Sequence, residues 1–62
     1  MRLKQLRTDR QLSQKQLALE LKTTNSSVCD WECGRAEPDI ETLIKIAKFF
    51  DVTVDYLLGL ED

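Results

Sequence analysis

Few residues of this 62-residue chain have the types and spacing to do chemistry. Cys29 and Cys33 stand four positions apart, and histidine is absent. Two thiols without imidazole are too few for a structural zinc site, and neither thiol has a neighbouring base to make it a nucleophile. On one helix their Cβ vectors run nearly parallel, which disfavours a disulfide, although a regulatory thiol pair stays open. The carboxylates of Glu37, Asp39 and Glu41 cluster. Capping and the helix dipole explain Asp39 and Glu41 better than acid–base work does. Gly34 and Gly59 are the only glycines, so no glycine-rich phosphate loop exists and no catalytic, metal or cofactor site is expected. What remains is hydrogen bonding. Asn25, Ser26, Cys29, Asp30 and Cys33 fall on one side of a helical wheel, opposite Val28, Trp31 and Glu32. The exposed helices of small proteins usually carry long Lys and Glu side chains. A face of short polar groups lets a helix lie against another surface without bulk in the way, although a solvated face would read the same.

The elements that must position this face are helical. Met1 to Arg10 puts Leu3 and Leu6 on one side, with Lys4, Asp9 and Arg10 towards water. Ser13 and Gln16 form a capping box that opens a helix over about 14–21, with Leu17, Ala18 and Leu21 inward. Thr24 caps the next helix, about 25–33, which Gly34 ends. Arg35 to Pro38 is a loop, because the residue before proline is pushed from helical angles. Asp39 caps a fourth helix with the stripe Ile40, Leu43, Ala47 and Phe50, widened by Ile44 and Ile46; Phe49 flanks it. Asp51-Val52 breaks that helix, and Thr53 caps a short fifth one, Val54 to Leu58, ended by Gly59. No strand-like alternation is sustained. The expected fold is an all-α bundle of five short helices, one domain over 1–62 with its helix-turn-helix motif at about 13–34.

The chain is 42% apolar and 32% charged, with both signs interspersed among Leu, Ile and Val, so it is built to fold. A chain this short buries only about 60% of its unfolded surface, which leaves a thin stability margin. Lysines interrupt the longest apolar clusters, excluding a membrane span, and the N-terminus lacks the apolar core of a signal peptide. The cysteine count and small size fit a reducing cytoplasm.

Leu12-Ser13-Gln14-Lys15-Gln16-Leu17-Ala18, then Val28, Trp31-Glu32-Cys33-Gly34-Arg35 and Pro38, resembles the Cro/repressor-type (XRE) helix-turn-helix family. So does the later run Leu43-Ile44-Lys45-Ile46-Ala47 with Val52-Thr53-Val54-Asp55-Tyr56-Leu57-Leu58-Gly59. The resemblance spans Leu3 to Gly59 and implies a lambda-repressor-like domain whose helix at about 25–33 docks in the DNA major groove. It implies base contacts from Asn25, Ser26, Cys29 and Asp30: Asn suits adenine, Asp the cytosine amine, and Cys29 a thymine methyl. It implies phosphate contacts from Gln14, Thr24, Ser27, Cys33 and Arg35, and an interior ion pair between Arg7 and Glu32. Two positions depart from the family pattern. Cys33 stands where Asn is typical, and Lys22 where a glycine usually takes the left-handed angle, at a cost of about 1–2 kcal/mol.

The resemblance implies a sequence-specific transcriptional regulator, a repressor by this reading, acting as a homodimer on a palindromic operator, with the dimer formed either in solution or only on DNA. The alternatives are an antitoxin-type or other protein-interaction module on the same scaffold, or the N-terminal domain of a longer regulator. The ending at Leu60-Glu61-Asp62 suits either a complete small regulator or an excised domain. A net charge of −2 opposes DNA binding until it is divided along the chain. Residues 1–35 carry seven basic and four acidic groups, a balance of +3; residues 36–62 carry two and seven, a balance of −5. The motif half is therefore modestly basic, which orients the chain on approach but predicts weak non-specific affinity.

Overall fold

The structure, a computed structural model, describes residues 1–61; Asp62 lies outside the described residues. Five helices follow one another: α1 (Leu3–Asp9), α2 (Gln14–Leu21), α3 (Asn25–Cys33), α4 (Ile40–Phe50) and α5 (Val54–Leu58). There is no strand among the described residues. Four of the helices open on a side-chain cap. The Ser13 hydroxyl accepts from the Gln16 amide at 3.0 Å while the Gln16 side chain accepts from the Ser13 amide at 2.7 Å, completing the capping box. Thr24, Asp39 and Thr53 accept from the amides of Ser27, Thr42 and Tyr56 at the heads of α3, α4 and α5.

α1 begins two residues later than the periodicity predicts. Arg2 makes no capping bond; its side chain turns instead to α5. Its backbone amide donates to Leu57 O at 2.7 Å, Nε donates to Tyr56 O at 3.0 Å and Nη2 to Glu61 O at 3.0 Å. The guanidinium also lies 4.6 Å from the centre of the Tyr56 ring. Arg2 thereby ties the start of the chain to its last helix and supplies positive charge to the carbonyl end of α5.

The same turn recurs three times between consecutive helices. Gln11, Lys22 and Asp51 adopt φ of 59°, 58° and 57°, the left-handed region. The next residue in each case, Leu12, Thr23 or Val52, donates its amide to a carbonyl five positions back, on Arg7, Ala18 and Ala47. The residue after that is the cap of the following helix. This closure satisfies the last carbonyls of one helix and starts the next within three residues. Lys22 thus takes the left-handed angle despite its side chain, as the departure from the family's glycine requires.

Leu3, Leu17, Ala18, Leu21, Val28, Ile46, Phe50 and Leu57 form the buried core, one or more from every helix. Leu6, Trp31, Leu43, Phe49 and Val52 pack against it half-buried, so Trp31 belongs to the edge of the core. The expected α4 stripe needs correction. Ile46, Ala47 and Phe50 are buried, but Ile40 is 75% exposed and Ile44 41% exposed. Leu43, Ile46, Ala47 and Phe50 follow the 3, 4, 7 spacing of one face, which leaves Ile44 turned outward. Ile40 shares that face but stands in the first turn of α4, where nothing covers it. Phe49 closes the core edge by meeting Phe50 edge-on at 4.9 Å and lying under the Arg10 guanidinium at 5.6 Å.

Candidate nucleic-acid interface

α3 owes its position to a charge network at its inner side. Arg7 of α1 donates through Nε to Glu32 Oε2 at 2.7 Å and through Nη2 to Oε1 at 3.1 Å, a two-bond fork. Its Nη1 donates to Leu12 O at 2.7 Å. The side chains are only 11% and 4% exposed, so the pair implied by the resemblance is interior. The hydrogen bond it donates to Glu32 pushes the Arg7 pKa up, against the opposing effect of burial. Gln14 completes the network by donating its side-chain amide to Glu32 Oε1 at 3.1 Å. No buried side-chain nitrogen or oxygen among the described residues lacks a partner. One carboxylate therefore fixes the start of α2 and the last turn of α3 relative to α1.

The other side of α3 faces outward. Asn25, Ser26 and Cys33 are exposed, while Cys29, Asp30 and Ser27 are half-buried. The Thr24 hydroxyl accepts from the Ser27 amide and donates to Ser27 Oγ at 2.9 Å, which leaves the Ser27 hydroxyl proton as the free donor of that pair. Gln14 sits at the first position of α2, with one amide proton committed to Glu32 and the other free. Arg35 follows Gly34, whose φ of 81° ends α3 and folds the chain back so that Arg35 N donates to Asp30 O at 2.9 Å. The Arg35 guanidinium stands 3.9 Å from the Asp30 carboxylate, and both groups are open to water. That contact adds little stability but offsets the negative charge Asp30 brings to the surface.

The Cys29 and Cys33 sulfurs lie 3.8 Å apart, within hydrogen-bonding reach for sulfur, and both cysteines are free. The hydrogen bond with Cys33, more than any other influence, pushes the Cys29 thiol pKa up. Apart from Gln14, which opens α2, the outward-facing site residues all fall on α3 and its two ends. What sequence reasoning missed is the bond from Gln14 to Glu32. Its only signal is the pairing of a polar residue at the start of α2 with a carboxylate already assigned to the interior.

Two short helices joined by a three-residue turn, the second presenting a polar outer face and held from behind, define a helix-turn-helix domain. The sequence model of the helix-turn-helix family matches residues 3–57, and the chain belongs to that family, in its Cro/repressor-type branch. Among its relatives, the HTH-type transcriptional activator BcrR of Enterococcus faecalis is 44% identical over 61 residues, covering 98% of this chain and 30% of that protein. The HTH-type transcriptional regulator ImmR of Bacillus subtilis strain 168 is 34% identical, with coverages of 98% and 48%. The uncharacterized regulator YobD of the same organism is 39% identical, with coverages of 98% and 54%. The chain thus spans roughly a third to a half of the length of these curated relatives. No solved structure matches it. No helix among the described residues is long and apolar enough to cross a membrane.

Proposed function

We propose that the chain is the DNA-reading unit of a cytoplasmic transcriptional regulator. It inserts α3 into the major groove of double-stranded DNA and binds a palindromic operator as a homodimer. One observation carries this reading: α3 is locked from behind by the Arg7–Glu32–Gln14 network while its outer face holds only short polar groups. Asn25, Ser26, Cys29 and Asp30 are the base-reading candidates. Gln14, Ser27, Arg35, Thr24 and Cys33 lie at the flanks, where phosphates pass. Thr24 contributes least of these as a donor, because its hydroxyl proton is already used.

The dimer reading draws on the α4–α5 half, where Ile40, Ile44, Leu58 and Leu60 are exposed. On a palindromic operator such a dimer places its two α3 helices about 34–36 Å apart, one turn of DNA. Occupancy of an operator by such a dimer represses by exclusion. The same apolar groups also support the second reading, a protein-interaction module of the antitoxin kind.

Selection of sites from random duplex DNA with the purified chain separates the two. Recovery of a palindrome supports the regulator, and no enrichment at low salt overturns it. Asn25→Ala should relax preference at one base pair. Arg35→Ala should weaken binding to all sequences and lower the salt slope by about one.

A further inference from the structure

The DNA reading asks of Cys29 and Cys33 only that they be small, yet their sulfurs converge. They sit one helical turn apart on the outer side of α3, 3.8 Å from each other, and neither belongs to the core. A disulfide would require about 2.05 Å between them and a departure from the parallel Cβ vectors that an intact α3 imposes. A single atom bonded to both sulfurs requires no such closure. With bonds of about 2.3 Å and the pyramidal angles of a three-coordinate soft centre, the two sulfurs would stand about 3.3–3.5 Å apart, a few tenths of an ångström closer than here and within reach of side-chain rotation on an intact α3. No group of three His, Cys, Asp or Glu side chains among the described residues could hold a metal ion, so the pair is not part of a zinc cage. It is a chelate for a centre that asks the protein for two sulfurs and no more.

We propose that Cys29 and Cys33 form a two-thiolate site for trivalent organoarsenic compounds, and that occupancy of this site masks the outer face of α3. In the binding step an R–As(OH)2 species exchanges both hydroxides. Two As–O bonds break and two As–S bonds form. Each thiol proton leaves with a hydroxide as water, so two waters are released and arsenic stays trivalent. The adduct seats R–As beside Asn25, Ser26 and Asp30, the surface offered to the bases. The masking rests on the DNA reading; the chelation does not.

The test uses the whole chain and phenylarsine oxide. One equivalent should give a single phenylarsenic adduct by native mass spectrometry, consume both free thiols and leave the helical circular dichroism unchanged. The adduct should survive a large excess of a monothiol and be removed by a 1,2-dithiol. Cys29→Ser and Cys33→Ser should each lose the monothiol-resistant adduct. Retention by either variant, independent reaction of the two thiols, or tight one-to-one zinc binding would overturn the site. Should a variant fold poorly, the thiol count and monothiol resistance of the unaltered chain decide alone. On a selected operator, one equivalent should reduce binding at least tenfold and the 1,2-dithiol should restore it. An adduct that stays on DNA overturns the masking. A chain that binds no DNA before treatment overturns the regulator reading and leaves the mass measurement to judge the chelate.

Discussion

Between α2 and α3, Lys22 takes the left-handed angle, Thr23 bonds back to Ala18 and Thr24 caps the next helix. Between α4 and α5, Asp51, Val52 and Thr53 do the same, with Ala47 as the acceptor. The backbone device is identical and the two corners still serve different ends. The α2–α3 corner is held from behind by a buried carboxylate with three hydrogen bonds from two side chains, and it turns short polar groups outward. The α4–α5 corner has no buried charge behind it: Ile46, Phe50 and Leu57 pack inward, Arg2 holds the carbonyls of Tyr56 and Leu57, and Ile40, Ile44 and Leu58 stay in water. Turn geometry therefore does not specify which helix pair reads a partner. The side chains placed on the two faces do.

The largest expected effect breaks the first corner. Glu32→Ala leaves Arg7 buried without its partner and should cost about 3–5 kcal/mol, enough to unfold much of so small a domain at 37 °C. Thermal unfolding followed by circular dichroism reads it, and a loss below about 1 kcal/mol would mean the network does not hold α3. Next comes Leu57→Ala in the second corner, where a lost buried side chain should cost about 2–4 kcal/mol in urea unfolding. Salt distinguishes neither, since both sites are shielded, so the contrast must be read from the mutants themselves.

The turn itself gives a smaller effect of opposite sign. Lys22→Gly should stabilise by about 1 kcal/mol through relief of the left-handed strain. Asp51→Gly should gain less, because Asp tolerates that region better than Lys. Equal gains would show that the two turns are strained alike. The smallest effect concerns pH. Hydrogen bonds from Thr42 hold the Asp39 carboxyl below its ordinary pKa, so its folded value is depressed. The contribution of this cap is present above the unfolded pKa of about 3.9 and is lost as pH falls through the folded value. α4 should fray in acid before α2, α3 and α5, whose caps are hydroxyls that do not titrate. Asp39→Asn should flatten stability below about pH 4, and amide exchange in the first turn of α4 would record it.

Much of this was legible in the sequence because it is encoded locally. Ser13, Thr24, Asp39 and Thr53 announce four helix starts, and Gly34 and Gly59 two ends, since each acts on amides or carbonyls within a few residues. The outer face of α3 is legible for the same reason, being one side of one helix. The exposure of Ile40 and Ile44 was not, because burial depends on which neighbour reaches a face, and periodicity only says that a face exists. The Gln14–Glu32 bond and the stacking of Arg10 on Phe49 join residues 18 and 39 positions apart. Such contacts have no local signature. Lys22 lies between these cases: its left-handed angle follows from the register of the motif, against the preference of its side chain.

Arg2 has a consequence for how the fold opens. A five-residue helix does not persist alone in water, so α5 borrows its order from whatever grips it. The backbone carbonyls of Tyr56 and Leu57 and the Tyr56 ring are gripped by Arg2. Release of Arg2 and melting of α5 are then a single cooperative event, well below the free energy of global unfolding. The two ends of the chain should therefore exchange their amides together, as one unit, while α2 and α3 stay closed.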